Sequence, residues 1–465
     1  MFENKINKYL VSSFWYILAI GTGYLISFGG NILFTHIMSQ EHYGLYTNYY
    51  SIVVLLCPFV GANLFVGLQN GFFDFKEKQK EFRSCVLFLS VLFFLVFSAL
   101  TLFFNKAFSV NFPTIILLLA LIHAYSFFVI NYFNVYENLC NNYKIRGLLL
   151  FLQNFIQFIL PLLFVLFINK NSYYERVFGS VLGLAIISFI LIIIVYTQSK
   201  KLFNLEYYKY VLKISLPSIL ASVSSLAMQN CDHIMITYMC GAEYTAVYGF
   251  MYNIGNVVLL ILAGVGGPVT AWVYNALDTE RINTAKIGQK WYLLFFVAMV
   301  ALILMVFPEF IELATPRAYW DFRYIPPFVM GSSIAVLNTL HGDVITFYKK
   351  TGSISGCVGI AAICNLILNL YFIKKYGAVA AAYTSFVSYL LQASLYRIVL
   401  KGIRKNIFSD LYSGLYLLTI IILCILFYFL YKYIFLRYII YSFVLFVLLI
   451  MAFMKQKEVK NLIKA

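Results

Sequence analysis

"THIMSQEHYGLYTNYYSI" (35–52) and "TYMCGAEYTAVYGFMYNI" (237–254) lie over one another at an offset of 202 residues (35 to 237). Thr35/Thr237, Glu41/Glu243, Tyr46/Tyr248, Tyr50/Tyr252 and Ile52/Ile254 coincide, five of eighteen positions. The score is modest, and the location gives it weight. Each copy joins one long apolar run to the next: the first to the second, and the seventh to the eighth.

Those runs are set by composition. The chain has 465 residues, of which 62% are hydrophobic and 11% charged. A soluble domain carries about 25% charged residues, so this chain cannot cover a water-facing surface, and its solvent is lipid. The runs are about 20 residues or longer, which favours helices over the roughly ten-residue alternation of barrel strands. Charge and turn residues separate about fourteen of them, including 44–70, 211–240, 244–275, 325–347 and 434–454. The N-terminal MFENKINKYL leads into an apolar run without a small-residue cleavage site, and reads as an uncleaved first span.

The formal charge of +16 is spread through short loops rather than gathered on one domain, so it does not indicate a nucleic-acid partner. It reports topology instead. With fourteen spans, nine of the 34 basic residues fall on one side: Lys106, Lys170, Arg176, Arg317, Arg323, Lys374, Lys375, Lys432 and Arg437. The other 25 share the side of the termini. Positive residues favour the cytoplasm, so both termini are expected there. Eight cysteines show no CxxC and no zinc spacing, and read as packing thiols without a metal. No Walker motif, HExxH or GxSxG occurs, and no loop is long enough for a soluble domain. The chain reads as a transporter, not an enzyme.

Six spans separate the two repeat copies, so they share one membrane orientation. Parallel repeats of this kind are a transporter architecture. The expected fold is an all-α polytopic membrane protein of about 14 transmembrane helices, with two six-helix lobes related by a parallel pseudo-repeat and two further C-terminal helices around a central cavity. The lobes are expected at 1–198 and 199–404, and the added helices with a basic cytoplasmic tail at 405–465.

Inside the seventh run stands "QNCDHIMI" (229–236), an Asp–His pair where ionisable residues are costly and invite a functional reading. At helical spacing Ser218, Ser222, Ser225, Gln229 and Asp232 fall on one line, with His233 at its edge. The 202-residue offset matches Tyr16 to Ser218, Ser27 to Gln229 and Asn31 to His233, a milder seam on the first helix. These nine residues are the candidates for lining a water-accessible cavity. The competing reading is close helix packing, which small and hydroxylated residues also permit. Pro217 marks a kink or boundary. Asp343 and His341 read as interfacial, and His123 as a satisfied buried histidine. GxxxG occurs at Gly67/Gly71 and at Gly179/Gly183.

"CNLILNLYFIKKYGAVAAAYTSFVSY" (364–389) resembles a segment of bacterial polysaccharide flippases of the Wzx type, in the MOP superfamily. Asn365, Asn369, Ile373, Gly377, Ala381 and Ala382 fit the family pattern, while Lys374 and Ala380 depart from it. "SQEHYGLYTNYYSI" resembles the family's junction after its first helix, and Pro217 with Asp232 resembles its seventh helix. The resemblance implies a flippase for O-antigen, capsule or other surface polysaccharide. It would move undecaprenyl-diphosphate-linked oligosaccharide from the cytoplasmic to the outer leaflet of the bacterial inner membrane, by alternating access. Implied partners are that glycan, membrane lipids and other polysaccharide assembly proteins. The diphosphate needs cations at the cytoplasmic mouth, for which Arg83, Arg146, Lys213, Lys290, Lys349 and Lys350 are the candidates. Asp232 would repel it, so its expected role is helix stabilisation or coupling to an ion, H+ or Na+. No other cofactor is expected. The alternative is a cation-coupled exporter of drugs or small metabolites from the same superfamily.

Overall fold

The computed structural model describes residues 21–107, 113–168, 172–403, 407–455 and 458. Sixteen α-helices occur among them. The first, α1, is described over 21–37. It is followed by α2 (Gln40–Val60), α3 (Leu64–Asp74), α4 (Gln79–Ala107), α5 (Thr114–Leu139), α6 (Tyr143–Phe167), α7 (Tyr173–Gln198) and α8 (Leu205–Cys240). Then come α9 (Ala242–Gly255), α10 (Val257–Asp278), α11 (Ile282–Ala314), α12 (Ile325–Phe347), α13 (Thr351–Tyr376), α14 (Val379–Ile403), α15 (Asp410–Leu430) and α16 (Ile434–Met454). The fold is all-helical and polytopic. With α2–α3 and α9–α10 each taken as one broken span, the helices follow the fourteen apolar runs.

The repeat is visible in the backbone. α2 starts at Gln40 and α9 at Ala242, the same 202-residue offset that aligns the two sequence copies. Ser39 caps α2 by accepting from the His42 amide at 3.3 Å. At the corresponding position Gly241 takes φ +109°, a value that side chains disfavour. One junction turns on a cap and the other on a glycine.

The chain divides by contact into two compact units, Met1–Thr237 and Tyr238–Ala465. Most of α8 therefore groups with the helices before it rather than beginning a new body at residue 199. Tyr207, Tyr208 and Val211 of α8 join the core built from α2 to α7. Tyr207 and Tyr210 meet Phe75 edge-on at 4.8 and 5.1 Å. α5 is the central helix of the first unit, with sixteen buried residues along its length. α12 plays the same part in the second unit, also with sixteen. α15 and α16 pack within that second unit. Buried Arg437 of α16 pairs with Glu309 of α11 and donates to the Met305 carbonyl at 3.2 Å.

Two spans that hydropathy presents as continuous are broken. In 44–70 the helix stops at Val60, Ala62 and Asn63 take φ of 47° and 50°, and α3 begins at Leu64. Pro58 lies just upstream in α2, and asparagine tolerates the left-handed region better than most residues. In 244–275 the break falls at Asn256, where the Gly255 carbonyl accepts from Ser332 Oγ of α12 at 3.0 Å. Both GxxxG pairs include a close backbone contact. A Cβ on Gly179 would stand 2.6 Å from Pro161 Cα, and one on Gly67 would stand 3.1 Å from Val211 Cα.

α1 is tied to the first unit through a buried arginine near the start of α7. Arg176, 4% exposed, lies 3.9 Å from the Phe34 ring and 3.8 Å from that of Tyr46. Its Nη2 donates to Asn31 Oδ1 at 3.0 Å. Cation–π contacts are worth up to ~2 kcal/mol when desolvated, and the planar guanidinium suits stacking as an ammonium does not. Asn31→Leu should leave a buried charged donor unmet and cost about 1–3 kcal/mol. Arg176→Lys should lower the melting temperature as well. Thermal unfolding in lipid nanodiscs measures both, and an unchanged midpoint for either variant would contradict this assignment.

Candidate functional site

The polar seam of α8 exists at the spacing the sequence gives it, and its residues have three different fates. At its start, hydroxyls serve helix packing. Ser215 Oγ accepts from the Gly67 amide at 3.1 Å. The Asn63 amide donates to Ser222 Oγ at 2.7 Å and reaches the Ser218 carbonyl at 3.3 Å. The break between α2 and α3 aims Asn63 at α8, so the left-handed turn and the seam form one device. Pro217 lies between these contacts and has no amide to donate to the preceding turn.

In the middle, Ser225 and Gln229 are half-buried and meet each other at the long distance of 3.5 Å. At the far end, Asp232 and His233 are buried, at 1% and 5% exposure. Thr237 Oγ1 donates to the His233 carbonyl at 2.8 Å. On α1, Ser27 is exposed and Asn31 is engaged by Arg176, while Tyr16 lies outside the described residues. Of the nine seam candidates, Ser27, Ser225 and Gln229 combine open or partial exposure with side chains that make at most one long contact.

The six basic candidates also differ in kind. Arg83 is 1% exposed, lying 3.7 Å from Glu137 and over the rings of Tyr136 and Phe133 at 3.8 and 4.4 Å. Its Nε and Nη2 are buried without a hydrogen-bond acceptor. The guanidinium is enclosed in this structure and is not presented at a mouth. Arg146 is half-buried and donates to Asn138. Lys290 is half-buried, 4.0 Å from Glu458. Lys213, Lys349 and Lys350 are exposed. Nearby, Lys201 is held above the usual lysine range by its hydrogen bond to Glu81 at 2.9 Å. Arg83, Arg146 and Lys213 belong to the first unit, and the other three candidates to the second.

Several polar groups outside the seam and the basic candidates are structural. Asn365 and Asn369, read as family motif positions, form a chain within the α13–α14 hairpin. Asn365 donates to Ser385 Oγ at 3.2 Å, Asn369 donates to Asn365 Oδ1 at 3.2 Å, and Thr384 donates to Asn369. Asparagine at i and i+4 on one helix, opposite Thr-Ser on the next, was the available signal. Asp343 accepts from Thr270 of α10 at 2.8 Å, so it joins two helices. His123 is fully buried, 3.1 Å from the Tyr49 hydroxyl and stacked on Phe127 at 5.0 Å. Among the described residues, no group of three or more His, Cys, Asp or Glu could hold a metal.

The described helices, many of them long and apolar enough to cross a membrane, form a polytopic fold in two units. It is similar to the lipid II flippase MurJ in an inward-closed conformation, with a TM-score of 0.72 at 15% identity over 96% of this chain and 99% of that one. It is also similar to the Vibrio cholerae MATE transporter VcmN, with a TM-score of 0.58 at 13% identity over 88% and 98%. An inward-facing multidrug resistance MATE transporter of the MOP superfamily gives 0.58 at 14% identity, over 83% and 96%. The likeness to these proteins is one of fold. Residues 10–272 match the polysaccharide biosynthesis protein family, more than half of the chain, and the protein belongs to that family. Among curated proteins none matches it in sequence.

The Asn63 contact can be separated into its parts. Asn63→Gly keeps the left-handed turn and removes the bonds to Ser218 and Ser222, for a loss of about 1 kcal/mol. Asn63→Leu adds the ~1–2 kcal/mol penalty of a left-handed residue with a bulky side chain. The expected order of melting temperature is wild type, then Gly, then Leu. A Leu variant as stable as wild type would show that the turn is not held in this conformation.

Proposed function

We propose that the protein is a flippase for undecaprenyl-diphosphate-linked oligosaccharide, acting by alternating access in surface polysaccharide assembly. The observation that carries this reading is membership of the polysaccharide biosynthesis family over residues 10–272, together with a fold similar to that of MurJ. The physical demand is consistent with it. A glycan must cross about 30 Å of hydrocarbon and needs polar partners along the way, while a prenyl tail can stay in lipid. Ser27, Ser225 and Gln229 are the seam residues that supply such partners here. Exposed Lys213 of the first unit, and exposed Lys349 and Lys350 of the second, are the cations proposed to meet the diphosphate first; both termini are proposed to be cytoplasmic. The membrane is proposed to be the bacterial inner membrane. Other polysaccharide assembly proteins are proposed as partners.

Asp232 is proposed to couple transport to H+ or Na+. A buried carboxylate on a transmembrane helix is costly unless it serves an ion or a fixed partner. The MATE-like fold supports a second reading, export of drugs or small metabolites coupled to a cation.

Deletion of the gene tests the choice between them. The flippase reading expects loss of surface glycan and build-up of lipid-linked repeat units on the cytoplasmic leaflet. Normal glycan with altered drug sensitivity would replace it by the exporter reading. Asp232→Asn should reduce glycan display severalfold at unchanged protein level and melting temperature. If the melting temperature falls and residual protein works normally, Asp232 holds α8 in place and couples nothing.

A further inference from the structure

The second unit contains a cleft of about 990 Å³, at the top of the ~300–1,000 Å³ range of small-molecule sites. It opens at the ends of several helices that share one face of the unit. Cys240 closes α8 there, Tyr244 begins α9, and Asp321 to Tyr324 form the turn before α12. The tip of the α13–α14 hairpin completes it, with Tyr376, Gly377 and Tyr383. By the distribution of basic residues, this is the face expected to be outward.

Its lining is aromatic and aliphatic, with Leu368, Val379 and Val387 beside the tyrosines, and only lightly charged. Tyr244, Tyr376 and Tyr383 are 56%, 61% and 43% exposed, so their rings are not consumed by the core. Phe372 stacks on Tyr376 at 5.9 Å with an interplanar angle of 19°, which fixes that ring as a platform. Asp321 and Arg323 are the charged side chains that line it. They form a planar bidentate pair, Nε to Oδ1 at 2.8 Å and Nη2 to Oδ2 at 2.7 Å. The hairpin wall is braced from behind, because Thr384 lines the cleft and belongs to the Asn365–Asn369–Ser385 chain.

We propose that this cleft is a saccharide subsite, which takes the glycan portion of the substrate on the face where α8 ends. The proposal rests on the flippase reading above. Tyrosine rings offer flat apolar faces to the C–H faces of a pyranose, and their hydroxyls offer donors and acceptors. A carboxylate and a guanidinium side by side can meet sugar hydroxyls as acceptor and donor. The two lining charges cancel, and Lys375, 5.3 Å from the Tyr376 ring, is a further cation beside the platform, so a neutral sugar and a phosphate headgroup are told apart by the test below. An acyl chain could lie against Leu368, Val379 and Val387, but it would offer the tyrosine hydroxyls no partner, which is costly.

Cys240 provides the readout, because it lines the cleft without belonging to the proposed contacts. The full chain, with Cys240 as the sole cysteine, is placed in nanodiscs and labelled with a maleimide. The probes are repeat-unit oligosaccharides released by mild acid from the source organism's surface polysaccharide, and undecaprenyl phosphate as the lipid control. The oligosaccharide should slow modification of Cys240 severalfold, and the lipid should not. Tyr376→Ala with Tyr383→Ala should abolish protection, and the corresponding Phe pair, which retains the rings, should keep much of it. Absence of protection by oligosaccharide, or protection by undecaprenyl phosphate alone, overturns the subsite. Should the deletion strain lose its surface glycan while oligosaccharide leaves Cys240 unprotected, the subsite fails and the flippase reading stands. A deletion strain with normal glycan removes the flippase reading itself.

Discussion

Hydrocarbon offers no hydrogen bonds, so every polar group placed in a span must be met by protein or by water admitted to the interior. That constraint organises both units. Arg83, Arg176 and Arg437 are each 4% exposed or less, and each is surrounded by groups from other helices. Arg176 is stacked between Phe34 and Tyr46 and bonded to Asn31. Arg437 is paired with Glu309 and bonded to a backbone carbonyl. Arg83 lies over two rings beside Glu137, with two donors left over. These residues sit near helix ends, where the loss of hydration is least costly, and from there they fix which helices can be neighbours.

The same constraint decides what a polar seam means. Residues spaced along one face of a helix show that the face is polar, but not what meets it. On α8 the answer changes along the length. Ser215, Ser218 and Ser222 meet Gly67 and Asn63, Ser225 and Gln229 meet little, and Asp232 is enclosed. Packing and substrate contact were competing accounts of one stripe, and the start of the stripe is packing. Asn365 and Asn369 make the same point. They match a family pattern, and here they clamp α13 to α14.

Much of the fold was legible because it follows from hydropathy. The limits 325–347 and 434–454 are those of α12 and α16, and the repeat offset places the starts of α2 and α9 in register. What escaped was backbone geometry and partner choice. Hydropathy averages over the break at Ala62–Asn63, since the residues on both sides are equally apolar. Pro58 alone does not fix where the helix stops. The bonds from Asn63 to α8 cross about 155 residues of chain, and no local pattern reports them. The tyrosine-lined cleft was invisible for a similar reason, since Tyr244, Tyr376 and Tyr383 come from separate helices and are common residues in this chain.

The proposed activity is movement of a lipid-linked oligosaccharide across a bilayer. Its most direct test uses the purified protein in sealed liposomes that carry a fluorescent undecaprenyl-diphosphate oligosaccharide. The fraction of glycan open to an added glycosidase is followed over time. The account predicts that this fraction rises from one leaflet's share toward completeness only when the protein is present. A fraction that stays at one leaflet's share, in liposomes where the same protein moves a small organic cation, would contradict it.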